Sequence, residues 1–297
     1  MGSLTSRDDL REHNHLDRQG CYQYLLFVKH FLSALFLCAC PLANAAPIDP
    51  ESHDAKPVVP EIAAAGYRLV FSDEFNGTAL DTEKWNYRTD SKGLSTQLAA
   101  NVSVSGGTLH LKLKKESAQG KNYTGAGVIS KQTFKYGYYE ARFKVPPGAG
   151  WHTSFWTMRS DGAGGTAPGA AKQEIDICEQ DSVKLTGYSA GVIDWSPRML
   201  HQEQVGHGRT NLRTPDLSAD FHTWGCEFTP AEVKFFFDGK LTHQTDAAGF
   251  AHGDQNIWLT SIGYKAGGKL IDDSKLPADA EFDYIRFYEK AAAAPAR

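Results

Sequence analysis

Gln173-Glu174-Ile175-Asp176-Ile177-Cys178-Glu179-Gln180 packs three carboxylates into one short run. If the run is a β-strand, alternation sends Glu174 and Asp176 to one face and Ile175 and Ile177 to the other. Glu179 is out of phase: a regular strand would turn it toward the core, which is costly for a carboxylate. A β-bulge near Cys178 would return it to the acidic face. Three acids so close cannot all ionise comfortably, so one carboxyl is expected to stay protonated near neutral pH while another stays anionic. Cleavage of a glycosidic bond needs that division, one acid to protonate the leaving oxygen and one carboxylate beside the sugar carbon. A solvated strand face with acidic decoration is the bland alternative. It leaves unexplained why three weak strand formers share one short strand.

Such a strand needs a sheet around it, and the sequence supplies one. Alternating apolar runs recur between Gly, Pro, Asn and Asp punctuation: Thr108 to Lys114, Tyr138 to Val145, Glu174 to Glu179, Thr223 to Phe228, Val233 to Phe237 closed by Asp238-Gly239, and Phe282 to Tyr288. No convincing stretch of helical apolar spacing interrupts them. Many short strands in one body predict an all-β, two-sheet sandwich. The chain has 297 residues, 41% of them hydrophobic, enough for one large β domain with a sizeable core. With 35 acidic against 31 basic residues it shows no footprint for nucleic acid or an anionic membrane.

The first 46 residues hold three of the five cysteines and none of the six tryptophans, which marks a boundary. Tyr24 to Leu42 is largely apolar and ends in Ala43-Asn44-Ala45, the small-x-small pattern of a signal-peptidase site. The stretch is too interrupted for a membrane span, so export is expected, to the periplasm or the exterior. Leu37-Cys38-Ala39-Cys40 also has the form of a lipoprotein box, in which Cys40 would carry lipid. The organisation expected is therefore a targeting segment over 1–45, a Pro- and Ala-rich linker over 46–65, a folded body over 66–290 and a frayed tail over 291–297. Within the body Cys178 and Cys226 are too few for a disulfide scaffold; they could form one bridge, and two separate buried thiols are the favoured reading.

Around the acidic strand other landmarks fall in order: Phe71-Ser-Asp-Glu-Phe75-Asn-Gly77 with Leu80-Asp81 and Trp85, Tyr136-Gly137, Glu140-Ala141-Arg142, Gly150-Trp151-His152-Thr153-Ser154-Phe155-Trp156, Phe221-His222-Thr223-Trp224, Phe237-Asp238-Gly239 and Asp283 to Tyr288. Together these resemble glycoside hydrolase family 16, in its bulged Glu-x-Asp-x-x-Glu branch. The resemblance implies a β-jelly-roll with a concave groove and a retaining, endo-acting hydrolase with a polysaccharide as its partner, expected as a monomer without a cofactor. It makes Glu174 the nucleophile, Asp176 the assisting acid and Glu179 the general acid/base. A structural calcium occurs in some relatives, but its site cannot be located in this sequence. Trp156, Trp151 and Trp195 are candidates for stacking on sugar rings, since indole offers a broad apolar face and one N–H.

The substrate is less sharply drawn. Members acting on β-1,3-glucans usually read Trp-Pro-Ala-Phe-Trp before the acidic strand and carry a histidine on the neighbouring strand. Here the segments read Trp151-His152-Thr153-Ser154-Phe155-Trp156 and Gly191-Val192-Ile193-Asp194-Trp195. The reading ranks β-1,3-glucan ahead of agar-, porphyran- or carrageenan-type galactans, for which Arg198 and Arg209 are candidate sulfate contacts. A jelly-roll that binds sugar without catalysis is the alternative from another class, disfavoured because crowded carboxylates without turnover only cost desolvation. Three further motifs carry less. Gly187-Tyr188-Ser189-Ala190-Gly191 fits a serine-nucleophile elbow but lacks the following helix. Gly263 to Lys269 nearly spells a phosphate loop, with Leu270 where Ser or Thr must stand. His201, Glu203 and His207 have loose metal-ligand spacing without a signature.

Overall fold

A computed structural model describes residues 54–168, 173–195, 205–248, 252–264 and 270–291, with the backbone alone for 205–209. The alternation read from sequence becomes seventeen strands in those residues. In chain order they are β1 (Tyr67–Asp73), β2 (Trp85–Tyr87), β3 (Ser91–Lys92), β4 (Ser95–Gln97), β5 (Val102–Ser105), β6 (Thr108–Leu113), β7 (Tyr123–Ser130), β8 (Gly137–Lys144) and β9 (Trp151–Met158). There follow β10 (Gln173–Asp181), β11 (Gly187–Asp194), β12 (Val205–Arg213), β13 (His222–Phe228), β14 (Glu232–Phe237), β15 (Lys240–Asp246), β16 (Asn256–Gly263) and β17 (Ala278–Lys290). One sheet runs β15-β14-β13-β8-β17-β6-β5, with β1 also on β17. The other runs β12-β11-β10-β9-β16-β7-β4-β3, with β2 on β7. Pairing is antiparallel except between β4 and β7.

The two sheets face each other across one apolar core, as a jelly-roll sandwich. Alternate residues point inward: Leu109 and Leu111 from β6, Phe143 from β8, Trp224 from β13 and Phe282 from β17 meet Val128, Phe155, Ile175, Val192 and Leu259 from the opposite sheet. Phe143 stacks on Trp224 at 3.8 Å between ring centroids and on Phe282 at 4.6 Å. Each such fully buried side chain contributes roughly 1.5–3 kcal/mol relative to exposure. Asp238 and Gly239, both at positive φ (46° and 75°), close the β14–β15 hairpin that the sequence signalled.

One boundary differs from the expectation. The stretch read as linker packs on the body from Val58 onward: Pro60–Ala64 forms a short helix, and Val59 and Ile62 are buried against Tyr138, Phe236 and Tyr288. The Val58 N–H also donates to Glu140, a carboxylate buried in the sheet, at 2.8 Å. Two apolar residues three apart suffice to seat one helical turn, too short a pattern to stand out amid Pro and Ala. Residues 1–53 and 292–297 lie outside the described residues, and with them the targeting segment and Cys40.

Candidate active site

β10 sits between β9 and β11, and its register slips where the sequence required it. Asp176 pairs with Trp156 of β9 and Cys178 with the next residue, Phe155, so Ile177 is the extra residue; on the β11 side Asp176 faces Gly191 and Glu179 faces Ser189. Both Ile177 and Cys178 enter the core, 1% and 0% exposed. Glu174, Asp176 and Glu179 thereby line the same groove, of about 600 Å³, together with Asp181. Like the Cys226 thiol, the Cys178 thiol is free and buried, as expected.

Each acid has its own surroundings. The Trp195 indole N–H donates to Glu174 Oε2 at 2.9 Å. Burial raises the Glu174 pKa, hydrogen bonds from Trp195 and Asp176 pull it back, and the Glu179 charge pushes it up again. Asp176 is almost wholly buried. Beside Glu179 stands His152 of β9, with Nε2 3.4 Å from Glu179 Oε1 and Nδ1 2.8 Å from Asp181 Oδ1. Burial alone would lower the His152 pKa, but the Asp181 and Glu179 carboxylates outweigh it and raise it to about 9.

Tryptophans form one wall. Trp258, Trp156 and Asp176 lie opposite one another on β16, β9 and β10, and the two indoles stack at 4.4 Å. Trp156 and Trp195 both line the groove. Trp151 corrects the expectation: it is 1% exposed and packs with Leu113 and Ile271 away from the groove, its ring edge-on to Tyr123. Five positions from Trp156 on one strand, it has the opposite parity and points to the opposite face. Sequence reasoning missed His152, which shares the parity of Trp156, and also Trp258 of β16, Lys92 of β3 and Arg88 just after β2, which reach the groove from elsewhere in the sheet. Arg88 is held by Asp90 through two hydrogen bonds of 2.7 and 2.9 Å and lies over the Trp258 ring. Lys92 makes no ion pair among the described residues.

The competing motifs fare as their context suggested. Gly187 to Gly191 lies within the continuous strand β11, with Ser189 opposite Glu179, so there is no elbow. Arg198, His201, Glu203, residues 265–269 and the side chains of His207 and Arg209 lie outside the described residues. Among the described residues no group of three His, Cys, Asp or Glu is placed to hold a metal ion, and no helix is long and apolar enough to cross a membrane.

Clustered carboxylates beside stacked indoles on an open sheet face give this groove the chemistry of a glycoside hydrolase. The family model described as "Beta-porphyranase A-D, GH16 domain" matches residues 69–290, and the chain belongs to glycoside hydrolase family 16. It is 29% identical over 254 residues to a β-glucanase of Rhodothermus marinus, covering 76% of this chain and 86% of that one. It is 30% identical over 259 residues to β-porphyranase B of Phocaeicola plebeius, covering 72% and 79%. The solved laminarinase from Rhodothermus marinus superposes with a TM-score of 0.65 at 26% identity, over 76% of this chain and 98% of that one.

Proposed function

We propose that the protein cleaves internal β-glycosidic bonds with retention, with Glu174 as nucleophile, Asp176 as its hydrogen-bonding partner and Glu179 as acid/base. The observation that carries the reading is the bulge at Ile177, which brings the third carboxylate onto the face of the other two. Glu179 gives its proton to the leaving glycosidic oxygen as Glu174 bonds to the anomeric carbon. Glu179 then takes a proton from water, whose oxygen displaces Glu174. Asp176 and Trp195 donate to Glu174 and favour its anionic form before attack. Trp156 and Trp195 supply apolar faces for pyranose rings.

For substrate the groove favours an uncharged chain, and β-1,3-glucan is the first choice. Four carboxylates line it, while Arg88 is already neutralised by Asp90. The β-glucanase and laminarinase relatives support the same choice. The match to the porphyranase model favours a second reading, a galactan of the porphyran or agar type, for which Lys92 on the groove would be a sulfate contact. The apolar run ending in Ala43-Asn44-Ala45 supports export of the enzyme.

Incubation with laminarin, agarose, porphyran and κ-carrageenan side by side, followed by NMR of the first reducing ends released, tests the proposal. Retained anomers and oligosaccharides from laminarin are expected. Inverted anomers would refute the double displacement, and activity confined to a galactan would overturn the substrate ranking. Glu174→Ala and Glu179→Ala should each lose turnover. On substrates with good leaving groups azide should rescue the first with inversion and the second with retention.

A further inference from the structure

We propose that His152 is a positioning residue for Glu179: bridged to Asp181, the imidazolium orients the Glu179 carboxyl and sets the pH at which it releases its proton. This rests on Glu179 being the acid/base. In the β9–β10 register His152 faces Asp181 and Ser154 faces Glu179, which places the imidazole diagonally across from Glu179. Nδ1 at 2.8 Å from Asp181 Oδ1 fixes the ring, and Nε2 at 3.4 Å reaches Glu179 Oε1. When Glu179 is ionised, both carboxylates only accept hydrogen bonds, so the ring between them carries a proton on each nitrogen. The Tyr264 ring, 5.4 Å away at the end of β16, covers the imidazole and limits its rotation.

The charges facing Glu179 show why this cation matters. On β10 itself the Glu174 and Asp181 carboxylates oppose ionisation of Glu179, Asp176 keeps its proton in the hydrogen bond to Glu174, and the neighbouring Cys178 thiol is buried and neutral. On the β11 side its partner is the uncharged Ser189. Lys92 of β3 acts on Glu174, and Arg88 is spent on Asp90. His152 of β9 is the one cation within 4 Å of Glu179 among the described residues. It offsets the acidic surroundings and makes Glu179 a stronger acid in the first step. The His152 pKa, raised to about 9, keeps that charge in place through neutral pH. Asp181 serves as the anchor that keeps the ring from turning away.

The test is to follow the Glu179 carboxyl carbon by NMR in ligand-free protein as pH is varied, with Glu179→Gln to assign the signal. His152→Gln keeps an N–H donor near Nε2 and removes the charge. It should raise the Glu179 midpoint by about one unit, the low end of shifts caused by an adjacent opposite charge. The alkaline limb of kcat/KM, on whichever of laminarin, agarose, porphyran and κ-carrageenan is digested, should move up with it. His152→Asn, which also removes the charge, should shift the Glu179 midpoint in the same direction, so the inference stays testable if His152→Gln does not fold. A Glu179 midpoint unmoved in a folded variant overturns the inference. Wild-type turnover in Glu179→Ala would instead remove the acid/base assignment on which it rests. An inactive Glu179→Ala with a fixed midpoint defeats the His152 role alone.

Discussion

Replacing Trp195 with Phe keeps an aromatic ring on the groove and removes one hydrogen bond, the 2.9 Å contact from the indole N–H to Glu174 Oε2. A hydrogen bond to a charged group contributes about 1.5–3 kcal/mol. At 1.36 kcal/mol per pKa unit, its loss raises the Glu174 pKa by roughly one to two units. The sign follows from the mechanism. Glu174 attacks as the anion, burial and the Glu179 charge already push its pKa up, and Trp195 pulls it down. Without Trp195 the nucleophile ionises later, so the acid limb of the kcat/KM profile should move up by about one to two pH units. On that limb the variant should lose about 10- to 100-fold, whereas on the plateau above it the loss should be only a few-fold. Initial rates across the pH range, with circular dichroism to confirm folding, provide the measurement. An unmoved limb, or a loss uniform with pH, would refute the idea that the indole N–H sustains the Glu174 charge.

Deleting Ile177 should remove the bulge, turn Glu179 toward the core, abolish turnover and cost about 3–5 kcal/mol in urea unfolding; Ile177→Ala, which keeps the residue count, should cost about 2–4 kcal/mol and retain turnover. Trp156→Ala should raise KM about tenfold with a smaller effect on kcat, the mark of lost ring stacking and not of lost chemistry. His152 has a folded pKa of about 9 against an ordinary 6.5, so the stability it adds is fully present below about pH 6.5 and is lost as pH rises through 9. The urea stability gap between wild type and His152→Gln should accordingly narrow by up to about 3 kcal/mol across that window, and a gap independent of pH would contradict the ion pairing.

Much of this fold was legible because alternation is a local signal. All six runs picked from sequence fall on strands, from β6 to β17, and the phase break at Glu179 disclosed the bulge because a carboxylate in the core is costly. The same alternation, applied to β9, would have separated Trp151 from Trp156 and put His152 on the catalytic face; choosing tryptophans by type alone obscured it. The contribution of Trp195 was harder to see. Its indole reaches Glu174 because β11 folds back with Ile193 opposite Glu174, a long-range register that no local pattern encodes. Trp258 of β16 and Arg88, just after β2, reach the groove by the same kind of distant pairing, with β9 and β7, whereas Lys92 lies on β3, a short hairpin partner of β4. The short helix at Pro60–Ala64 was hidden by its brevity.

The placement of the last two strands governs the order in which the chain can assemble. β16 lies in the interior of one sheet, between β9 and β7, and β17 lies in the interior of the other, between β8 and β6. Until residues 256–290 have been synthesised, one sheet is two separate ribbons, and the other is two ribbons and the lone strand β1, all with unpaired inner edges. The closing contacts are among the most distant in the sequence: Arg68 meets Glu289 across 221 positions. Loop closure of that span must precede its reward, so folding should be slow and should wait for the complete chain. Until then the exposed strand edges invite pairing with other chains, and a ribosome stalled before β16 would leave a product prone to aggregate.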